Sequence, residues 1–103
     1  MKLIVAIIRP GKLSDVREAL LDEPVESFTA FEVMGCGNQW GHTESEKNST
    51  IESNLMKKVK IEVEVPEECV RSVMDKIIAA CRSGRIGDGK IFVLNASQCI
   101  PIE

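Results

Sequence analysis

Aromatic side chains are scarce in this chain: they make up 4% of its residues, and tyrosine is absent altogether. A core with so few rings must be filled by Val, Ile, Leu and Met, which the 44% hydrophobic content supplies. Positive charge is not in excess either. The formal net charge of −3 excludes bulk electrostatic attraction to nucleic acid. No apolar run approaches the roughly 20 residues needed to cross a bilayer as a helix. The opening run from Met1 to Ile8 has the apolar character of a secretion signal. It is too short for one, and Arg9-Pro10 stands where a small-residue cleavage site would be required. A soluble, cytoplasmic protein without a transmembrane segment is expected. Histidine occurs once, at position 42, and the four cysteines at 36, 69, 81 and 99 form no C-x-x-C pair. That spacing argues against a zinc site and leaves reduced thiols as the default, with Cys81 in the core.

What is present is enough for one domain, residues 1–103, with a single modest core. Residues 3–8 are a continuous apolar run and read as a buried strand. Pro10-Gly11 breaks it, and a helix is expected from about Ser14 as its N-cap, with Leu13, Val16, Leu20 and Leu21 on one stripe. Residues 28–36 read as a second strand. Residues 38–54 are polar and lack apolar periodicity. A stretch of that length is more than a compact domain needs for a connection, and such segments usually carry function or disorder. Val59, Ile61, Val63 and Val65 then alternate with Lys58, Lys60, Glu62 and Glu64, the cleanest strand signal in the chain. Pro66 opens a second helix with Val70, Val73, Met74, Ile77, Ile78 and Cys81 as its buried stripe. Residues 90–94 form the last strand. The order β-α-β-β-α-β predicts an α+β, ferredoxin-like sandwich. One sheet face takes both helices, and the other shows Lys58, Lys60, Glu62 and Glu64.

Between the second helix and the last strand lies Ser83-Gly84-Arg85-Ile86-Gly87-Asp88-Gly89-Lys90. Glycines let a backbone approach a ligand with its N–H groups exposed, and the cations add charge, which is the chemistry of a phosphate cradle. The spacing Gly84-x-x-x-x-Gly89-Lys90 copies most of a P-loop. Ile91 stands where Ser or Thr would hold magnesium, and the loop runs from helix to strand rather than strand to helix. A helix cap at Gly84 followed by a glycine turn explains the same residues.

The chain as a whole resembles the PII family of signal-transduction proteins. Four blocks carry the resemblance: Ile7-Ile8-Arg9-Pro10 with Val16-Arg17-Glu18-Ala19-Leu20; Gly35-x-Gly37-x-Gln39-x-Gly41-His42-Thr43-Glu44; Lys58-Val59-Lys60-Ile61-Glu62; and Gly84 through Val93. The resemblance implies a regulatory homotrimer and not an enzyme. It implies adenine nucleotide (ATP, ADP or AMP) in intersubunit clefts, and in many members 2-oxoglutarate bound through the nucleotide's magnesium. It places a T-loop at 38–54, which docks on a target enzyme, regulator or membrane transporter, and a glycine-rich phosphate loop at 82–90. Carried over by position, it makes Ile7, Thr29, Gly35, Gly37, Asn38, Glu62, Gly87, Asp88, Gly89 and Lys90 nucleotide-binding. Gln39, Gly41 and Lys58 become contacts for 2-oxoglutarate or another small anion, and Gln39 the residue beside the nucleotide's Mg.

The sequence also departs from the family pattern. Asn38 replaces a phosphate-contacting Arg, Trp40 stands where Lys is common, Ile51 occupies the place of the T-loop Tyr, and Pro101 and Glu103 replace two arginines that reach a neighbour's phosphates. Each lost charge-assisted contact is worth about 1.5–3 kcal/mol. The alternative is therefore a PII-like sensor of ADP, AMP or bicarbonate, working beside carbon uptake or another transporter. An acylphosphatase-type enzyme lacks the second half of its motif. A CutA-like metal-responsive trimer lacks a Cys/His cluster.

Overall fold

The structure, a computed structural model, describes residues 1–35, 55–85 and 87–103. Strands β1 (Lys2–Ile8), β2 (Ser27–Gly35), β3 (Met56–Val65) and β4 (Gly89–Asn95) and helices α1 (Leu13–Ala19) and α2 (Val70–Cys81) follow one another as β1-α1-β2-β3-α2-β4. The sheet order is β2-β3-β1-β4 with every neighbouring pair antiparallel. This is the ferredoxin-like arrangement expected from the sequence.

Strand alternation decides the core. Ile4, Ala6 and Ile8 of β1 and Val59, Ile61, Val63 and Val65 of β3 turn to one face and are buried there. Val16 and Leu20 from the α1 region and Val73, Ile77 and Cys81 from α2 close over them. Each such aliphatic side chain contributes about 1.5–3 kcal/mol by leaving water, so the two central strands and the two helices hold the fold. The opposite face is open. Register puts Lys90, Ile7, Lys60 and Phe31 in one row across it, and Phe92, Val5, Glu62 and Thr29 in the next. The Lys60 ammonium lies 5.0 Å from the Phe31 ring centroid on that face.

Four local expectations are corrected. Ser14 is not the N-cap. Pro10–Lys12 forms a 3₁₀ turn first, the Lys12 N–H donates to the Arg9 carbonyl, and α1 opens from Lys12. The ring of Pro10 favours that tight first turn. Leu21 is exposed rather than on the buried stripe, because α1 ends at Ala19 and the chain turns before Leu21 can follow the helical period. Gly84 does not cap α2. Arg82 leaves the helix in extended conformation (φ −67°, ψ 127°), and Gly84 takes a left-handed turn two residues later. Pro66 likewise precedes a 3₁₀ turn, Glu67–Cys69, before α2 begins.

The β2–β3 pairing runs on from Glu32↔Val59 to Gly35↔Met56, whereas β1 pairs with β3 only as far as Ile8↔Val59. Met56, Lys57 and Lys58 thus pair in the sheet with β2 alone. At the other end, the β4 side of the ladder runs on by one bond, the Ala96 N–H donating to the Met1 carbonyl, and beyond it the Cys99 thiol donates to Glu64 of β3 at 2.7 Å. The Glu64 carboxylate pushes that thiol's pKa up. Cys81 is buried as expected, and burial raises its pKa too. No helix among the described residues is long and apolar enough to cross a membrane.

Candidate functional site

The glycine loop begins at the C-terminal end of α2, the negative pole of the helix dipole. An anion bound there gains nothing from the helix, so backbone N–H groups and cations must supply the attraction. Both are present. Gly84, Gly87 and Gly89 have φ of 82°, 95° and 136°, a region that side-chain-bearing residues rarely adopt. The loop's return is pressed against the end of β1. A Cβ on Gly89 would stand 2.3 Å from the Ile7 carbonyl oxygen, so only glycine allows this approach.

Two cations meet on Gly87, Lys58 from β3 and Arg9 from just beyond the end of β1. The Lys58 ammonium donates to the Gly87 carbonyl at 3.1 Å. A Cβ on Gly87 would lie 3.2 Å from Arg9 Nη2 and 3.8 Å from Lys58 Nζ. Asp88 closes the loop on itself. Its carboxylate accepts from the Ser83 N–H at 2.7 Å, from the Gly84 N–H at 3.0 Å and from the Ser83 hydroxyl, and it ion-pairs with Arg9 Nε at 3.6 Å. The Ser83 hydroxyl and N–H, helped by Gly84 and the Arg9 charge, pull the Asp88 carboxyl down to about 2. Beside the loop, on the helix side of the sheet, a cleft of about 430 Å³ runs between α2 and β4. Ile8, Met74, Ile77 and Ile91 give it an apolar lining, and Arg82, Asp88 and Lys90 also border it.

The structure therefore brings Ile7, Lys58, Gly87, Asp88, Gly89 and Lys90 to one end of the sheet. Gly35 lies close by as the last residue of β2, with Lys58 Cγ at 3.9 Å from where its Cβ would be. Thr29 and Glu62 are not brought there. They face each other across β2 and β3, and Glu62 pairs with Lys60 at 3.6 Å. Glu62 is four residues along β3 from Lys58, about 13 Å at a strand's rise. Gly37, Asn38, Gln39 and Gly41, and with them the whole 38–54 segment, lie outside the described residues. No group of three His, Cys, Asp or Glu side chains among the described residues could hold a metal ion.

Two participants escape sequence reasoning: Arg9 as a partner of the loop, and Ser83 as a donor to Asp88. Ser83 and Asp88 are five residues apart, and a Ser followed by Gly and then Asp in a short loop is a readable self-capping signal. Arg9 has no such local signal, since its partner is on the far side of the sequence.

The chain is similar to known proteins along its whole length. The family model described as "Nitrogen regulatory protein P-II" matches residues 1–103. The chain is 46% identical over 103 residues to "Nitrogen regulatory protein P-II 1" of Escherichia coli (strain K12), covering 100% of this chain and 92% of that protein. It is 45% identical, with the same coverage, to "Nitrogen regulatory protein P-II" of Haemophilus influenzae and of Klebsiella oxytoca. The chain thus belongs to the nitrogen regulatory P-II family, whose members are regulatory signalling proteins and not enzymes.

Proposed function

We propose that this regulator senses adenine nucleotide at the glycine loop and passes the signal to a target protein through residues 38–54. The observation that carries the reading is the loop itself. Two left-handed glycines, Gly87 and Gly89, are packed on the end of β1, with Lys58, Arg9 and Lys90 around them. Gly87 and Gly89 would carry phosphate on their backbone, with Lys90 as counter-charge. Thr29 and Glu62, some 13 Å away along the sheet, fit a nucleotide site only if a second copy supplies them. That favours clefts between the subunits of a homotrimer. Gly35, Gly37 and Asn38 would complete the cleft from the start of the 38–54 segment. In the same reading, Lys58 receives a carboxylate of 2-oxoglutarate in exchange for the Gly87 carbonyl. Gln39 and Gly41 complete that second site, with Gln39 beside a nucleotide-bound Mg. The cytoplasm is the proposed compartment, and the target an enzyme, a regulator or a membrane transporter to which the protein is recruited.

A second reading keeps the scaffold and changes the ligand to ADP, AMP or bicarbonate. It is favoured by Asn38, Pro101 and Glu103, which replace three cations with two neutral residues and an anion. Titration calorimetry with ATP, ADP, AMP, 2-oxoglutarate and bicarbonate, on the parent and on Lys90→Ala, separates the two. Lys90→Ala is expected to weaken adenylate binding by about 1.5–3 kcal/mol. Unchanged affinity in that variant, or no adenylate binding by the parent, sinks the nucleotide reading.

A further inference from the structure

We propose that Arg9 is a positioning residue for the glycine loop, holding it in its anion-receiving shape through Asp88 without being a ligand itself. The inference rests on the loop's being the phosphate site. Arg9 is well placed to act as a fixed point. It follows the buried Ile8 directly, and its carbonyl is tied to the Lys12 N–H at 3.0 Å. From there its Nε reaches Asp88 at 3.6 Å, and its Nη2 lies 3.2 Å from where a Cβ on Gly87 would stand. Glycine at 87 therefore does two things. It permits the left-handed turn, and it leaves room for a guanidinium that a Cβ would crowd at 3.2 Å.

Asp88 is the element through which Arg9 works. Its carboxylate joins the start of the loop, at the Ser83 and Gly84 N–H groups, to the residue between the two phosphate-site glycines. A carboxylate at that place would repel an incoming phosphate. Arg9 offsets that charge while fixing the direction from which Asp88 holds the loop. Lys58 bonds the neighbouring carbonyl of Gly87, so the loop is gripped at two successive residues by a cation just past β1 and one on β3.

The test uses the full chain and ADP as probe, with Arg9→Ala, Arg9→Lys, Asp88→Asn and the Arg9→Ala/Asp88→Asn pair. Arg9→Ala is expected to weaken ADP about tenfold, Arg9→Lys to restore most of that, and the double variant to bind no worse than Asp88→Asn alone, as residues acting in one network do. Independently of ligand, amide exchange at Ser83 and Gly84 is expected to quicken in Arg9→Ala while the interior of α2 keeps its protection. Arg9→Gln serves if the alanine variant does not fold. ADP affinity in Arg9→Ala within twofold of the parent, alongside a loss in Lys90→Ala, overturns the proposal and spares the phosphate site. Additive losses in the double variant also overturn it, because they make Arg9 a direct ligand. Should Lys90→Ala bind ADP as the parent does, the phosphate reading fails, and unchanged exchange at Ser83 and Gly84 then overturns the role of Arg9 as well.

Discussion

Gly89 and Ile7 meet backbone to backbone: the site of a Cβ on Gly89 is 2.3 Å from the Ile7 carbonyl oxygen, and Gly89 holds φ at 136°. Neither partner is a side chain that can swing aside. Gly89→Ala should therefore strain the start of β4, costing about 1–3 kcal/mol from the dihedral alone. For a domain of this size each 1 kcal/mol lowers Tm by about 4–8 °C. Thermal unfolding followed by circular dichroism should show at least that drop, and adenylate binding should fall with it. An alanine variant as stable as the parent would mean that the loop can move away from β1.

The Asp88 carboxyl gives a pH dependence with a definite sign. Its folded pKa, about 2, lies below the ordinary 3.8 because Ser83, Gly84 and Arg9 all favour the charged form. Its contribution to stability is complete above pH 3.8 and is lost as the pH falls toward 2. The stability gap between the parent and Asp88→Asn should thus stay constant at higher pH and narrow between about pH 4 and 2. Denaturant melts at a series of pH values check this. A gap that does not change with pH would place Asp88 in water.

ATP should not be strongly preferred over ADP. The resemblance puts arginines where Asn38, Pro101 and Glu103 stand, and on that reading charges that would reward an added phosphate are missing. Each such contact is worth about 1.5–3 kcal/mol, and tenfold in affinity is about 1.4 kcal/mol. Competition binding with and without magnesium should put the two nucleotides within roughly tenfold of each other. An ATP affinity a hundredfold above that for ADP, in the absence of 2-oxoglutarate, would contradict it.

The open sheet face should be covered by other copies of the chain. Phe31, Phe92 and Leu94 are 40%, 48% and 50% exposed there, beside Leu3, Val5 and Ile7 in register. A small domain seldom leaves such a surface in water. Light scattering at micromolar concentration should give three times the 11.4 kDa of one chain. Phe92→Glu should reduce that mass, and a monomeric parent would remove the intersubunit cleft.

Much of this was legible in the sequence, for reasons that differ by residue. The alternation of Val59, Ile61, Val63 and Val65 with charged residues needs only the two-residue period of a strand, and the stripe from Val70 to Cys81 only the helical period. The start of α1 is not legible because a 3₁₀ turn and an α-helix share their opening signals. Leu21 falls on the stripe by period alone, but the helix stops before it. In the site, the glycines are local and were seen. The grip of Arg9 on Asp88 and of Lys58 on Gly87 joins residues far apart in the chain, and no spacing encodes it. The resemblance makes Asp88 nucleotide-binding, and its carboxylate is engaged with Ser83, Gly84 and Arg9.

The part of the β2–β3 hairpin that outruns β1 has a mechanical consequence. Rows 33–58, 34–57 and 35–56 form a two-stranded arm cantilevered from a four-stranded slab. Two strands twist and bend more easily than four, so torque on the far end of the arm concentrates at its root. Lys58 is the first residue at that root, and its ammonium is tethered to Gly87. The arm and the glycine loop are therefore mechanically joined through one side chain: any displacement of the arm at row 33–58 would stretch or release the Lys58–Gly87 bond.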